Sequence, residues 1–460
     1  MNLQKVLIAH YRVGWTDGVS LEIDKRKTIL EEMGFQVILL AGSGSRGANY
    51  IIDELDFERN EIKCIAAGSF INSSQNCNKK VDEQELSARI EEIASIIEEK
   101  LFEVIQREQP VFIFTHNIFS HGRHIAAAKA FASILKKTGI KSLTTHHDFY
   151  WERDDFKTPS CFWVQNYLND YVPPRLPGMK HAVINSIAAK RLEAERGIVP
   201  FIFPDTLNFS QPVWKKDEYN SSFLNDFDLR EDDIIILQAT RIVRRKGIEL
   251  VPPVIKALNS NNFLEKLRGS QLYNGKTVTE ASRVVFVLAG YAEHEAEPYR
   301  LQLEKQMEEL CIEYRFLYPW IGSDRKEVKG RKVYSLFDTY PYADFISYPS
   351  LYEGWGNQFL EAVFSKTPIM IYEYPVYKAD IKEAGYRVVS MGSSAERGEN
   401  GLYSMPFKDI ERCAEEVFSW LIDEKTNERL VSNFMIAEKN NSYKALRRLI
   451  KEGMKHYADL

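Results

Sequence analysis

Seven short apolar runs, each stopping abruptly at a polar or glycine-rich loop, constrain the fold of this chain more than any other feature. They occupy residues 6–10, 35–40, 111–115, 234–240, 284–290, 344–348 and 368–372. Each is too short for a helix and is largely apolar on both faces, the pattern of a strand buried in a parallel sheet. Segments of helical pattern lie between them. The clearest spans about 82–106, with Leu86, Ile90, Ile93, Ile97 and Leu101 on one face and acids on the other, ending before Pro110. Strand and helix alternating through both halves predict an α/β fold of two doubly wound, Rossmann-like parallel-sheet domains facing across a cleft. The first domain is placed at 1–212, the second at 213–435 and a C-terminal helix at 436–460. The charged stretch 211–233, which carries Trp214, reads as the linker into the second domain. Residues 50–80 are polar and irregular and give no assignable element.

A chain of 460 residues with 44% hydrophobic and 27% charged residues is long enough for two or three packed cores. A net charge of -5 gives no general attraction to nucleic acid, and no feature indicates contact with a membrane surface. Five widely spaced cysteines without a Cys-x-x-Cys pair argue against a disulfide framework or a zinc cluster and for a reducing, cytoplasmic setting. No apolar run approaches the roughly 20 residues of a membrane-spanning helix, and the first run is too short for a signal-peptide core.

The chemistry concentrates in one stretch. After the run at 344–348 come Pro349, Ser350, Leu351, Tyr352, Glu353, Gly354, Trp355, Gly356 and Asn357, then a helical segment holding Glu361. Gly354 and Gly356 let backbone approach a ligand closely, and the start of the following helix offers unpaired N–H groups and a partial positive charge. Glu353 and Glu361 would stand roughly 12 Å apart at the helical rise, suited to the two ends of one extended ligand. A second concentration follows the run at 234–240, where Arg241, Arg244, Arg245 and Lys246 precede Gly247. Cations gathered past a strand end repel one another unless an anion is expected there.

Glu353 and Glu361 with seven residues between, Gly-Trp-Gly-Asn after the first and Leu-Glu-Ala around the second, resemble the signature of the family 4 retaining glycosyltransferases, which have the GT-B fold. Arg241 followed after four residues by Lys246-Gly247, and Asp17-Gly18-Val19-Ser20 after the first strand, are similar to that family's other motifs. The chain as a whole resembles bacterial members that make small glycosides. The resemblance implies a retaining hexosyltransferase moving a glucose- or mannose-type hexose from a nucleoside-diphosphate sugar to a hydroxyl of an acceptor. It implies that Arg241 and Lys246 clamp the diphosphate and that Glu361 holds the ribose. Glu353, with the backbone of Gly354, Trp355, Gly356 and Asn357, would hold the donor sugar. Gly18 would face the phosphates, Gly290 the base pocket, and a strand-end histidine the sugar. That histidine is His146 or His147, depending on how the Asp148 that follows is aligned, with His146 preferred. The C-terminal helix is implied to cross back to the first domain. No cofactor and no required metal are implied.

Other residues invite other chemistry. The histidines at 116, 121, 124, 146 and 147 suggest a metal, but neighbours on a strand face opposite ways and no second acidic ligand stands at helical spacing. Asp226-Phe227-Asp228 has the form of a manganese-nucleotide motif but lacks a preceding strand. Asp205 and Asn208 exchange the residue types the family has at the edge between domains, so no role is assigned to them. Two alternatives stand beside the transferase: a sugar-nucleotide epimerase of the same fold, which needs an acid/base pair, and a catalytically silent sugar-nucleotide binding protein.

Overall fold

A computed structural model describes residues 3–15, 17–75, 82–260, 263–292 and 296–455. The chain divides into two compact units, Met1–Asp205 with Leu446–Leu460, and Thr206–Ala445.

The first unit runs β1 (Lys5–Ala9), α1 (Gly18–Glu32), β2 (Gln36–Ala41), β3 (Tyr50–Ile51), α2 (Asn60–Ser69), α3 (Glu83–Glu108), β4 (Phe112–His116), α4 (Ile125–Thr138), β5 (Ser142–His146), α5 (Phe162–Tyr171), β6 (Met179–Val183), α6 (Ser186–Arg196) and β7 (Phe201–Ile202). Its seven strands are all parallel in the order β3-β2-β1-β4-β5-β6-β7. The order reverses between β1 and β4, which puts the loops after those strands at the switch point where such sheets bind ligands. The helix foreseen at 82–106 is α3, started by the Asp82 carboxylate accepting from the Glu85 N–H at 2.8 Å. Within the stretch 50–80, β3 and α2 are formed, while 76–81 lie outside the described residues. Cys64 on α2 is disulfide-bonded, against the expectation of no bridge; Cys161, Cys311 and Cys413 are free, and Cys77 lies outside the described residues.

The second unit runs α7 (Phe223–Asp226), β8 (Ile234–Gln238), α8 (Val251–Ser260), α9 (Phe263–Leu267), β9 (Val284–Leu288), α10 (Glu297–Glu309), β10 (Glu313–Phe316), β11 (Ile321–Gly322), β12 (Lys326–Val328), β13 (Arg331–Ser335), β14 (Phe345–Tyr348), α11 (Asn357–Ser365), β15 (Ile369–Ile371), β16 (Val389–Ser390), α12 (Phe407–Ile422) and α13 (Thr426–Asn441). Its main sheet is parallel in the order β10-β9-β8-β14-β15-β16, again reversing beside the first strand, between β8 and β14. A small three-stranded sheet, β11-β13-β12, is inserted before β14. The stretch 211–233 is not a free linker. Trp214 stacks on Phe337 at 4.5 Å, and Phe223 and Phe227 are buried in the second core. A charged stretch packs here because its few aromatics bury large areas while most of its acids stay at the surface and the buried Asp233 is paired with Arg283 at 2.6 Å.

The last helix, α14 (Tyr443–Gly453), brings 446–453 into the first unit. Leu446 and Ile450 are buried, Gly453 lies against Leu143, and the carbonyls of Glu452 and Lys455 accept from the Lys180 ammonium at 3.4 and 3.2 Å.

Candidate active site

In the second unit the two motif loops are fastened to each other by backbone. The loop after β8 forms a single 3-10 turn, Arg244–Lys246, and ends at Gly247 with φ +56°. A Cβ at Gly247 would sit 2.5 Å from the Pro349 carbonyl oxygen, so glycine is required both by the left-handed backbone and by the close approach. Beside it the Leu351 N–H donates to the Arg245 carbonyl at 2.9 Å. Strands β8 and β14 are neighbours in the sheet, and this contact continues their pairing into the loops.

Between the loops lies a buried cluster of charge. The Glu353 carboxylate accepts from Lys246 Nζ on one oxygen and from Arg245 Nη1, at 2.9 Å, on the other. Burial pushes the Glu353 pKa upward, but the Lys246 and Arg245 cations outweigh it and hold the carboxyl below its ordinary value. Glu353 therefore positions two cations. Arg244 turns away, held by the Gln302 side chain at 2.7 Å and the Gly401 carbonyl at 3.3 Å, while Arg241 is exposed.

Gly356 precedes α11 with φ +144°, and a Cβ there would lie 2.6 Å from the Tyr374 hydroxyl oxygen. That hydroxyl donates to the Trp355 carbonyl. Trp355 itself is buried against Phe359, so its indole belongs to the core and only its backbone borders the loop. Asn357 opens α11 and is half-buried, as are Gly354 and Glu361. The Gln358 amide nitrogen donates to the Ser347 carbonyl at 3.3 Å, while its buried Oε1 has no hydrogen-bond partner among the described residues. The Tyr340 hydroxyl donates to Glu361 at 2.5 Å, fixing that carboxylate one turn into the helix. Gly290 lies two residues past β9 with its Cα against the loop after β8: a Cβ would fall 1.7 Å from the Thr240 carbonyl oxygen.

Asp226 and Asp228 are committed elsewhere. Asp226 accepts from Tyr334 and Ser222, and Asp228 pairs with Arg315 at 2.5 Å. Among the described residues no group of three or more His, Cys, Asp or Glu side chains is placed to hold a metal ion.

In the first unit a polar floor covers the carboxyl ends of β1, β4 and β5. Asp17 caps α1 by accepting from the Val19 and Ser20 N–H groups at 3.2 Å, which starts the helix at Gly18. A Cβ on Gly18 would meet nothing within 4 Å among the described residues, so no packing against them demands glycine there. His147 follows β5, its Nε2 3.0 Å from His116 Nδ1 and its N–H donating to Asn117 Oδ1 at 2.7 Å. Burial lowers its pKa to about 3, and Arg26 and His10 add to the effect. His146 is the fully buried last residue of β5, 3.0 Å from His181 Nδ1 and tilted against Phe149. The side of the strand that meets Asp17, His10 and Arg26 thus carries His147, while His146 points to His181 and Phe149. Arg26 escaped the sequence reading. It projects from α1, 1% exposed, donates to the Thr145 hydroxyl at 2.8 Å, and is lowered to a pKa of about 10 by burial.

Two parallel-sheet units, with a cationic turn fastened to a glycine-bearing loop at the switch point of the second, define a glycosyltransferase of the GT-B class. Residues 222–434 match the model of the group 1 glycosyl transferases, and the chain belongs to that family. It is 36% identical over 433 residues to the mannosylglucosylglycerate synthase of Petrotoga mobilis, covering 94% of this chain and 97% of the relative. To the mannosylglucosylglycerate synthase of Thermotoga maritima it is 32% identical over 444 residues, with 96% and 97% covered. A solved glycosyltransferase from Rickettsia africae shares the fold at a TM-score of 0.60 and 15% identity, covering 100% of this chain and 99% of that one. No helix among the described residues is long and apolar enough to cross a membrane.

Proposed function

We propose that this enzyme is a retaining hexosyltransferase that moves a glucose- or mannose-type hexose from a nucleoside-diphosphate sugar to a hydroxyl of a small saccharide acceptor, with mannosylglucosylglycerate, the product in its relatives' names, as its product. The observation that carries the reading is the cationic turn Arg244–Lys246 fastened to the loop that leads into α11. The anomeric bond to the diphosphate breaks, the acceptor oxygen bonds to the anomeric carbon, and the acceptor proton passes to the departing diphosphate oxygen on the same face. Charge grows on the diphosphate as it leaves. Arg241, Lys246 and the N-terminus of α11 stabilise it, in place of a metal ion. Glu361 takes the ribose hydroxyls, and the backbone from Gly354 to Asn357 takes the donor sugar. Glu353 keeps the cations in place and shares its carboxylate with that sugar. In the first unit the acceptor lies at the carboxyl edge of the sheet, beside His147.

The test is a panel of sugar nucleotides with glucosylglycerate as acceptor, product anomers read by NMR, with and without EDTA. Transfer with retained anomeric configuration, little changed by EDTA, is expected. Inverted product refutes the retaining reading, and loss of activity restored by manganese refutes metal independence. A donor-only control separates the epimerase, which would change the sugar itself.

A further inference from the structure

At the carboxyl edge of the first sheet, four guanidinium groups stand on the loops after four adjacent strands: Arg46 after β2, Arg12 after β1, Arg123 after β4 and Arg153 after β5. Two aromatic rings join three of them into one surface. Phe57 has the Arg12 and Arg123 guanidiniums 5.4 and 5.1 Å from its centroid, and Trp15 has those of Arg12 and Arg46 at 5.6 and 5.5 Å. The acids nearby are fewer and partly committed. Asp17 caps α1 and lies 3.3 Å from Arg12, Asp148 holds Arg153 at 2.7 Å, and Glu58 reaches Arg123 only at 3.9 Å.

Arg46 has no ion pair among the described residues, and the buried Nε of Arg123 has no hydrogen-bond partner among them. Burial, followed by Arg153, then opposed by Glu58, with Arg12 adding to the first two, lowers the pKa of Arg123. Guanidiniums gathered in a partly desolvated place repel one another until an anion joins them, and their planar forks match carboxylate and phosphate oxygens. The cluster adjoins His147, on whose imidazole both Asp148 and Asp17 act.

We propose that this cluster seats the anionic end of the acceptor, a carboxylate, with Arg123 and Arg46 supplying its hydrogen bonds and Arg12 completing the positive field. The proposal rests on the reading above that the acceptor is a glycoside of glycerate. A neutral polyol glycoside would leave these cations unmatched, so the cluster makes the enzyme select the acid.

Calorimetric titration of the full chain without donor tests this, using glucosylglycerate, the neutral glucosylglycerol and glucose 6-phosphate. Glucosylglycerate is expected to bind at least tenfold more tightly than glucosylglycerol. Arg123→Gln and Arg46→Gln should each remove most of that difference, and Arg123→Lys should restore part of it by keeping charge without the fork. Arg46 is on an exposed loop, so its variant reports even if Arg123→Gln fails to fold. Equal binding of glucosylglycerate and glucosylglycerol, no binding of glucosylglycerate, or an undiminished preference in both glutamine variants would overturn the proposal. Glucose 6-phosphate binding more tightly than glucosylglycerate would overturn the carboxylate in favour of a phosphate. Because no donor is present, failure of every sugar nucleotide to be turned over would refute the proposed function and leave this result standing.

Discussion

Replacing Lys246 with methionine should destabilise the second unit, and replacing Glu353 at the same time should largely undo the damage. Both side chains are about 10% exposed, and Glu353 is shared between Lys246 and the more open Arg245, 43% exposed. In Lys246→Met the carboxylate stays buried with Arg245 as its remaining cationic contact. Breaking a buried ion pair by deleting one partner costs about 3–5 kcal/mol, and the surviving Arg245 contact places this variant near ~3 kcal/mol. In Lys246→Met/Glu353→Gln no buried charge is left over and the amide oxygen still accepts from Arg245, so the loss should shrink to ~1 kcal/mol. The second replacement thus recovers about 2 kcal/mol relative to Lys246→Met, and the Glu353→Gln single variant, which leaves the Lys246 ammonium buried without its carboxylate, completes the double-mutant cycle. Urea unfolding monitored by tryptophan fluorescence, with Trp355 two residues from Glu353, measures it. Transfer assays should find both variants slow, since the cation is missing in each. A double variant as unstable as Lys246→Met, with a recovery below ~0.5 kcal/mol, would refute the argument that Glu353 and Lys246 stabilise each other.

Gly290→Ala must displace the Thr240 carbonyl, 1.7 Å from the new Cβ, and overpacking of this kind costs about 1–3 kcal/mol; thermal unfolding should show that loss together with weaker nucleotide binding, and an unchanged Tm would contradict the geometry. Glu361→Gln should weaken nucleoside diphosphate binding by about 1.5–3 kcal/mol through loss of a charge-assisted bond, with Tyr340→Phe weakening it less; equal binding by Glu361→Gln and wild type would remove Glu361 from the ribose. Acid should destabilise the first unit: burial lowers His10, His121, His124 and His181 to about 4 and His147 to about 3 from an ordinary 6.5. The unfolded chain takes up protons first, so this stability is complete above pH 6.5 and falls as pH drops toward 4, by up to about 1.4 kcal/mol per pH unit for each histidine. Urea midpoints between pH 7 and pH 4 read the slope, and a flat profile would mean that the histidines are not buried neutral.

The sheets were legible because strands buried on both faces leave unbroken apolar runs, and the switch-point loops because glycine and charge interrupt those runs. Helices at the extremes of pattern were not. In α4, Ile125, Ala126, Ala127, Ala128, Ala130 and Phe131 are all buried and only the narrow stripe of Lys129, Ser133, Lys136 and Lys137 marks the period, while α2 offers only Ile62, Ile65 and Ala66 as buried apolar residues. Nor could the sequence orient neighbours: His146 and His147 necessarily face opposite ways, but which way is inward depends on the helices packed on each face. Glu353 and Lys246 meet across 107 positions, a contact no local pattern encodes. Arg26 gave no signal for the same reason, its burial being set by Thr145 and Phe203 far along the chain.

The return of residues 446–455 to the first unit has a consequence for the order of events during synthesis. The first sheet is translated early, yet the surface that receives Ile450, Gly453 and Met454 stays uncovered until the whole of Thr206–Ala445 has been made. Through that interval the nascent first unit keeps an apolar patch around Leu143 available to water and to chaperones, while the second unit has all of its own residues and can fold without waiting. Completion of the amino-terminal half is therefore a late event, governed by the carboxyl-terminal segment.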